Sequence, residues 1–482
     1  MRAWHEPSPT GGYTEGSLTR VPRMSRESVQ ALMSLLSPER VSTDPADLEH
    51  YGRDWTRWWS PAPLAVVFPE TTAEVQAVVR WAGAQGVAIV PSGGRTGLSG
   101  GAVAARGELV VSFQRMHRIG AFDALDRTLV VQPGVVTENL QRAAREHGLF
   151  YPVDFGSRGS SQIGGNIATN AGGIKVIRYG MTRDWVAGLK VVDGRGELLD
   201  LNRGLVKNAT GYDLRHLMIG SEGTLGLVVE ATMRLTDPPR DPQVMLLAVP
   251  TFESVMQLLQ LMRSRLHLTA FEFFTDRALR HVLAAGAQRP MEGDAPCYAL
   301  VEYEPGGDEE AAMDAFQAAA EKGWAVDGVM AQSEAQARAL WALREGITES
   351  IARFTPYKND VSVTVSRLPA FLSDMDALFA REYPDVEVVW YGHVGDGNLH
   401  VSVLKPDAMD KAAFEHACGR VTGQLCDVLE KHGGSISAEH GVGLLKKPYL
   451  SHVRPPAEIA LMRQIKRAFD PHGILNPGKL FD

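Results

Sequence analysis

Apolar runs of strand length and apolar residues at helical spacing alternate in the first half of the chain. Leu64–Phe68 and Val87–Val90 are continuous apolar runs. Between them, Thr71–Glu74 has the form of a capping box, and apolar residues recur at helical spacing through Trp81. A loop with five glycines, residues 91–101, follows the second run. The pattern predicts a strand, a capped helix, a strand and a glycine-rich loop, in that order.

The second half begins after a proline-rich linker at residues 237–242. Strand-like and helix-like segments then alternate at residues 243–250, 254–262, 296–304, 308–322 and 358–366. This alternation is typical of an α+β sheet that helices cover on one face.

A predicted hairpin near residue 396 carries two histidines. Its flanks, residues 386–392 and 398–404, are rich in β-branched and aromatic residues, and Asp396-Gly397 favours a two-residue turn. Such a turn places His393 directly opposite His400, with Ser402 on the same face of the sheet.

Two histidines at this spacing can hold a metal ion, although unrelated surface histidines are the alternative. Glu439, beside His440 in the sequence, would be a third protein ligand and would leave a position open for water or substrate, as in catalytic zinc sites. The same ligands suit manganese or non-haem iron.

Composition narrows the class of protein. A chain of 482 residues predicts two or more domains, and its net charge of −8 argues against a nucleic-acid partner. Three cysteines without C-x-x-C spacing disfavour disulfides and iron–sulfur clusters. With no long apolar stretch, we expect a cytoplasmic protein, at most peripheral to a membrane. Residues 1–24 are predicted to be poorly ordered, and Glu6 and Glu15 argue against a transit peptide.

Further glycine-rich turns follow the first one, at residues 132–135, 156–166, 169–173 and 220–226. Neither a Walker loop nor a Rossmann fingerprint is present. One glycine-rich turn alone could be an ordinary connection between two elements. Several in one stretch are better explained by a long anionic cofactor lying along backbone amides.

Six motifs together carry a family resemblance: PSGGRTGLSGG (91–101), IGGNIATNAGG (163–173), IGSEGTLGLVVEATMRL (219–235), GHVGDGNLH (392–400), SAEHGVG (437–443) and NPGKLF (476–481). From about Val41 to Asp482 the chain resembles the FAD-linked D-2-hydroxyacid dehydrogenases of the vanillyl-alcohol oxidase superfamily. The resemblance implies an α+β fold with a two-subdomain PCMH-type FAD-binding domain and a ferredoxin-like substrate cap. We expect an N-terminal extension (1–40), the FAD domain (41–240), the cap (241–431) and a C-terminal helical segment returning to the FAD domain (432–482).

The resemblance also implies which residues contact FAD. They are Pro91, Ser92, Gly93, Gly94, Arg95, Thr96, Gly97, Leu98, Pro133, Gly134, Gly156, Ser157, Ser160, Ser161, Gly164, Asn166, Thr169, Glu222, Gly223, Val228 and Asn476. Some superfamily members attach FAD covalently through a histidine in the pyrophosphate loop. That loop has no histidine here, so we expect non-covalent FAD.

The implied substrate is a small D-2-hydroxy acid such as D-lactate, glycolate or D-2-hydroxyglutarate. Residues 341–348 are predicted to be helical, which puts Arg344 and Thr348 on one face. With Lys358, they fall on the family positions that hold the substrate carboxylate.

In the reaction that the resemblance implies, His440 would take the hydroxyl proton while hydride passes to flavin N5, with the metal on the hydroxyl. Ser402 stands where many members have asparagine.

Several alternatives stay open at this stage. The chain could be a metal-independent flavin oxidase of the same fold, an FAD-binding subunit of a glycolate oxidase complex, or a metallohydrolase with structural glycine loops. Quinone, cytochrome c, an electron-transfer flavoprotein or oxygen could accept the electrons, and a homodimer is compatible with the sequence.

Overall fold

The computed structural model describes residues 26–56, 58–305 and 310–482. The segment 1–24, predicted to be poorly ordered, lies outside the described residues. The described chain forms two compact units. The glycine-rich unit contains residues 26–173, 180–238 and 439–482, and the central unit contains residues 174–179 and 239–438.

The strands, in chain order, are β1 (Val41–Ser42), β2 (Ala65–Val67), β3 (Ile89–Ser92), β4 (Leu109–Ser112), β5 (Ile119–Asp123), β6 (Thr128–Val131), β7 (Val186–Val192), β8 (Leu198–Leu201), β9 (Leu227–Arg234), β10 (Gln243–Val249), β11 (His267–Thr275), β12 (Cys297–Glu304), β13 (Asp327–Met330), β14 (Tyr357–Ser362), β15 (Val388–Gly392) and β16 (Asn398–Val403).

The α-helices, in chain order, are α1 (Arg26–Leu36), α2 (Pro45–Tyr51), α3 (Thr72–Gln85), α4 (Thr137–Glu146), α5 (Ile163–Thr169), α6 (Val176–Tyr179), α7 (Thr182–Trp185), α8 (Arg215–Met218), α9 (Phe252–Arg265), α10 (Asp276–Ala284), α11 (Ala311–Glu321), α12 (Glu334–Glu345), α13 (Ile347–Ser350), α14 (Leu368–Glu382), α15 (Lys411–His432), α16 (Leu450–Val453) and α17 (Pro456–Phe469). None of these helices combines the length and the apolar character that a bilayer crossing requires.

The glycine-rich unit contains two sheets. The first has the order β1-β2-β4-β3, with β2, β4 and β3 parallel, and α3 packs on it through Val75, Val78 and Val79. The predicted capping box starts α3, because the Thr71 hydroxyl accepts from the Glu74 N–H and the Glu74 carboxylate accepts from the Thr71 N–H. The second sheet is antiparallel, in the order β5-β6-β9-β7-β8.

The central unit is built on one antiparallel sheet of seven strands in the order β13-β10-β12-β11-β15-β16-β14. Helices α10, α12 and α13 pack on the face that bears Phe274 and Tyr391. On the other face, the Phe252 ring of α9 meets Phe273, and Asp376 of α14 accepts from the Trp390 indole. The prediction that helices cover only one face of the sheet is therefore wrong. Strands whose successive residues are all buried need a layer on each face of the sheet. The predicted α+β class is confirmed.

Candidate functional site

The hairpin that carries the two histidines differs from its predicted register. Tyr391, not His393, lies opposite His400 in the β15–β16 ladder. The predicted two-residue turn is wrong, because residues 393–397 form a five-residue connection between the strands. The His393 carbonyl organises it by accepting from the N–H groups of Asp396 (3.1 Å) and Asn398 (3.2 Å).

The two imidazoles nevertheless meet on one face of the sheet. The ring centroids of His393 and His400 are 5.2 Å apart and the rings stand at 84°, with one nitrogen of each within 4.8 Å of the other. The Nδ1–H of His393 donates to Oε1 of Glu272 at 2.7 Å, so in the neutral ring Nε2 carries the lone pair. Nδ1 of His400 lies 3.5 Å from Asp360 Oδ1. Two neutral imidazoles oriented by carboxylates are donors that suit a divalent metal ion.

Glu439 is joined to this part of the central unit by the chain itself. The N–H of Ala438 donates to the Asp360 carbonyl at 3.4 Å, and Asp360 lies opposite His400 in the β14–β16 ladder. Glu439 follows Ala438 directly, as the first residue of the last segment of the glycine-rich unit. Its role as third ligand stays a prediction.

A buried cation lies beside the histidines. Arg344 is 6% exposed, its guanidinium stacks over the Tyr391 ring at 5.0 Å, and its Nε is 2.9 Å from Glu272 Oε2. Burial alone raises the pKa of the Glu272 carboxyl, but its interactions with His393 and Arg344 outweigh burial and hold that pKa below its usual value. Nη2 of Arg344 has no hydrogen-bond partner among the described residues. A buried guanidinium with an unused donor is suited to an anionic ligand.

The remaining predicted substrate residues lie on or near the same face. Residues 341–345 and 347–348 are helical as predicted, with Gly346 in helical conformation between α12 and α13, and the Thr348 hydroxyl reaches the Tyr391 hydroxyl at 3.1 Å. Lys358 is exposed and lies opposite Ser402 in the ladder. Ser402 is fully buried, and its Oγ has no partner within the described chain.

The glycine-rich unit has its own open cavity, lined mainly by residues of its glycine-rich loops. Fourteen of the predicted FAD-contacting residues line it: Pro91, Gly93, Gly94, Arg95, Thr96, Gly97, Pro133, Gly164, Asn166, Thr169, Glu222, Gly223, Val228 and Asn476. The lining also includes residues that sequence reasoning missed, namely Ser99, Gly101, Ala102, Phe113, Gln162, Gly165, Ala168, Met218, Ser221, Gly226 and Leu227. Most of these lie in or beside the glycine-rich motifs, which is the signal that could have found them.

Seven predicted FAD residues do not line this cavity: Ser92, Leu98, Gly134, Gly156, Ser157, Ser160 and Ser161. Two of the seven, Gly134 and Ser160, lie where neighbouring loops pack closely against each other. A Cβ at Gly94 would lie 2.2 Å from the Ser160 carbonyl oxygen, and one at Gly134 would lie 2.1 Å from the Phe113 carbonyl oxygen. These glycines allow loops to pack against each other, in addition to any role in cofactor contact.

His440 lines the same cavity, and its backbone carbonyl accepts from the Ser99 hydroxyl at 2.9 Å. The loop after it is held by Glu222, whose carboxylate accepts from the N–H groups of Val442 (2.7 Å) and Gly443 (2.8 Å). Burial raises the pKa of Glu222 to about 7 in spite of these bonds. The Glu222 carboxylate therefore fixes the loop that carries His440.

Two family models match the chain. One described as the FAD binding domain matches residues 63–202, and one described as FAD linked oxidases, C-terminal domain, matches residues 238–480.

Known proteins resemble the chain over nearly its whole length. It is 62% identical to a D-2-hydroxyglutarate dehydrogenase of Xanthomonas citri pv. viticola, over 95% of this chain and 98% of that protein. It is 57% identical to a D-2-hydroxyglutarate dehydrogenase of Stutzerimonas stutzeri, over 94% and 98% of the two chains. Among solved structures, p-cresol methylhydroxylase with substrate bound matches with a TM-score of 0.71 at 16% identity, over 95% of this chain and 96% of that one. This likeness confirms the predicted PCMH-type fold.

Proposed function

The chain belongs to the FAD-linked oxidase family, and on that premise we propose that it oxidises a D-2-hydroxy acid to the 2-oxo acid, with D-2-hydroxyglutarate as the first substrate to test. The observation that carries this proposal is the buried Arg344 guanidinium, which keeps an unused donor beside two paired histidines. A 2-hydroxy acid needs a cation to bind its carboxylate and a metal ion to bind its hydroxyl, and Arg344 and the histidines are suited to these two roles.

FAD is the cofactor, and the cavity of the glycine-rich unit fits a large polar ligand. Buried Oε1 of Gln162 and Oδ1 of Asn476 belong to its lining residues and have no hydrogen-bond partner among the described residues. The ligand would satisfy them. Bound FAD supplies the hydride acceptor of the reaction. Because no histidine occurs in residues 91–101, we expect the FAD to be non-covalent.

His393, His400 and Glu439 would hold a divalent ion, with zinc as the first choice and manganese or iron as the alternatives. The ion would polarise the substrate hydroxyl and lower its pKa. A proton on Nδ1 of His393, donated to Glu272, would make Nε2 the ring nitrogen that binds the ion.

Arg344 would bind the substrate carboxylate through its planar fork, with Thr348 and Lys358 as additional donors. Ser402 is shorter than the asparagine of many family members, so its buried hydroxyl would reach the substrate through a bridging water or contact a different substituent. His440 would take the hydroxyl proton, which makes it the one catalytic residue of the proposal. Quinone, cytochrome c or an electron-transfer flavoprotein would reoxidise the flavin.

His440→Asn tests the proton-accepting role. The variant should keep FAD and metal, yet D-2-hydroxyglutarate should bleach its flavin at least about 100-fold more slowly under anaerobic conditions, which is the usual contribution of general base catalysis. His117→Asn, an exposed histidine of the same unit, is the matched control and should reduce normally. Unchanged flavin reduction in the His440 variant would remove this residue from the mechanism.

A further inference from the structure

Glu272 contacts both His393 and Arg344, and so reaches both halves of the proposed substrate site in the central unit. It lies on β11 with its side chain fully buried. Oε1 accepts from Nδ1 of His393 at 2.7 Å, and Oε2 lies 2.9 Å from Nε of Arg344. A single carboxylate thus links a proposed metal ligand to the proposed carboxylate-binding arginine.

The sheet explains why Glu272 can reach both. Phe273 lies opposite Gly392 in the β11–β15 ladder, so the next pair along places Glu272 beside His393 at the end of β15. Phe274 lies opposite Tyr391, and strand alternation puts Glu272 on that same face, over which α12 carries Arg344. The backbone therefore fixes the Glu272 side chain between the hairpin and the helix.

The ion-pair contact is not a full hydrogen bond. Although Oε2 and Nε are 2.9 Å apart, neither atom has a partner of hydrogen-bond geometry among the described residues, and Nη2 is also unpartnered. Glu272 compensates the charge of Arg344 while the Nη2 donors have no partner among the described residues. The guanidinium is held in place with donors left for a ligand.

We infer that Glu272 is a positioning residue for both subsites: it fixes the tautomer and ring orientation of His393 for the metal, and it holds Arg344 for the substrate carboxylate. This inference rests on the proposed function. Partners of this kind typically contribute 10–100-fold to metal affinity. The same substitution should therefore weaken metal binding and carboxylate binding together.

Glu302 provides a matched control. It is also a buried acid of the central unit, and it lies two residues beyond Leu300, the residue opposite Glu272 in the β11–β12 ladder. Its carboxylate accepts from Thr269, Lys175 and Trp341, and no histidine contact is among its hydrogen bonds in the described chain. Glu302→Gln should leave zinc affinity within about threefold of the original protein, which is below the outer-shell range.

The first measurement is zinc affinity, by competition with a chromophoric chelator on the FAD-loaded protein. Glu272→Gln should raise the zinc dissociation constant by roughly 10–100-fold. The second is calorimetric titration of metal-free protein with glutarate, a dicarboxylate without a hydroxyl group. Glu272→Gln should weaken glutarate binding at least about tenfold, because charge-assisted hydrogen bonds of Arg344 depend on its orientation.

A second variant distinguishes the loss of the Glu272 contact from misfolding. Glu272→Gln leaves Arg344 buried without its counter-charge, which could destabilise the protein. The double variant Glu272→Gln with Arg344→Met removes both charges and so avoids this effect. In it, His393 still has no carboxylate to hold its ring. Zinc affinity should fall in the double variant as in the single one, whereas Arg344→Met alone should change it by less than about threefold.

His393→Ala separates the possible failures. If it abolishes zinc binding while Glu272→Gln binds zinc and glutarate normally, the positioning role is wrong and the proposed metal site stands. If His393→Ala also binds zinc normally, the proposed metal site itself is wrong.

Discussion

The imidazole rings of His393 and His400 stand at 84° to each other with their centroids 5.2 Å apart, although Tyr391 is the residue opposite His400 in the ladder. His393 reaches this position from the first residue of a loop, where its carbonyl accepts two loop N–H groups. The strand fixes one ring and the loop fixes the other. The pair is therefore suited to bind one ion between them.

Removing His393 should remove the metal. We expect His393→Ala to raise the zinc dissociation constant by more than about 100-fold, beyond the range for loss of an outer-shell partner. Metal content after gel filtration, measured by elemental analysis, tests this. His267→Ala, an exposed histidine of β11, is the control and should retain one equivalent of whatever ion the original protein carries.

Arg344 should affect stability and substrate affinity in separable ways. Arg344→Met leaves the Glu272 carboxylate buried without its cation, so we expect a loss of about 3–5 kcal/mol in the free energy of unfolding of the central unit. Arg344→Lys keeps the charge but loses the fork, and should raise KM for D-2-hydroxyglutarate by roughly 10-fold or more at a smaller stability cost. Urea titrations and initial rates distinguish the two effects. Equal stability losses in both variants would argue against charge compensation by Glu272.

Much of this fold could be predicted from the sequence, because the relevant signals are local. The capping box at Thr71 and Glu74 begins α3, and the apolar runs form β2 and β3 as their patterns indicate. The hairpin register could not be predicted, because Asp396-Gly397 favours a two-residue turn locally while the His393 carbonyl closes a longer loop in the folded chain.

Glu272 illustrates what the site predictions missed. It is a single acid in HLTAFEFFT, a strand whose other members from Leu268 to Phe274 are buried. A lone carboxyl in such a strand needs a buried partner. The sequence contains that signal, but not the identity of the partners, since His393 is 121 residues away in the chain.

Gly94 and Gly156 should respond differently to an added methyl group. At Gly94 the Cβ would lie 2.2 Å from the Ser160 carbonyl oxygen, whereas at Gly156 nothing lies within 4 Å. We expect Gly94→Ala to cost about 1–3 kcal/mol of stability and to weaken FAD retention, as overpacking does. Gly156→Ala should stay within about 0.5 kcal/mol. Thermal unfolding and the flavin-to-protein absorbance ratio provide the comparison.

Glu222 should make the stability of the glycine-rich unit depend on pH. The pKa of Glu222 is raised from 4.5 to about 7 by burial, so folding takes up a proton between these values. The free energy of unfolding is then highest below pH 4.5 and falls as the pH rises through about 7, by at most about 1.4 kcal/mol per pH unit.

The test is the difference in unfolding free energy between the original protein and Glu222→Gln. Measured on FAD-free protein, this difference should decline between about pH 4.5 and 7 and then level off. A difference that is constant, or that grows with pH, would show that the carboxyl ionises normally in the folded state.

The most direct test of the proposed reaction is anaerobic flavin bleaching with D- and L-2-hydroxy acids, with and without a chelator. We predict that D-2-hydroxyglutarate bleaches the bound flavin, that its L enantiomer does not, and that chelation suppresses bleaching while FAD stays bound. Failure of every D-2-hydroxy acid to bleach a protein that holds both FAD and metal would contradict the account.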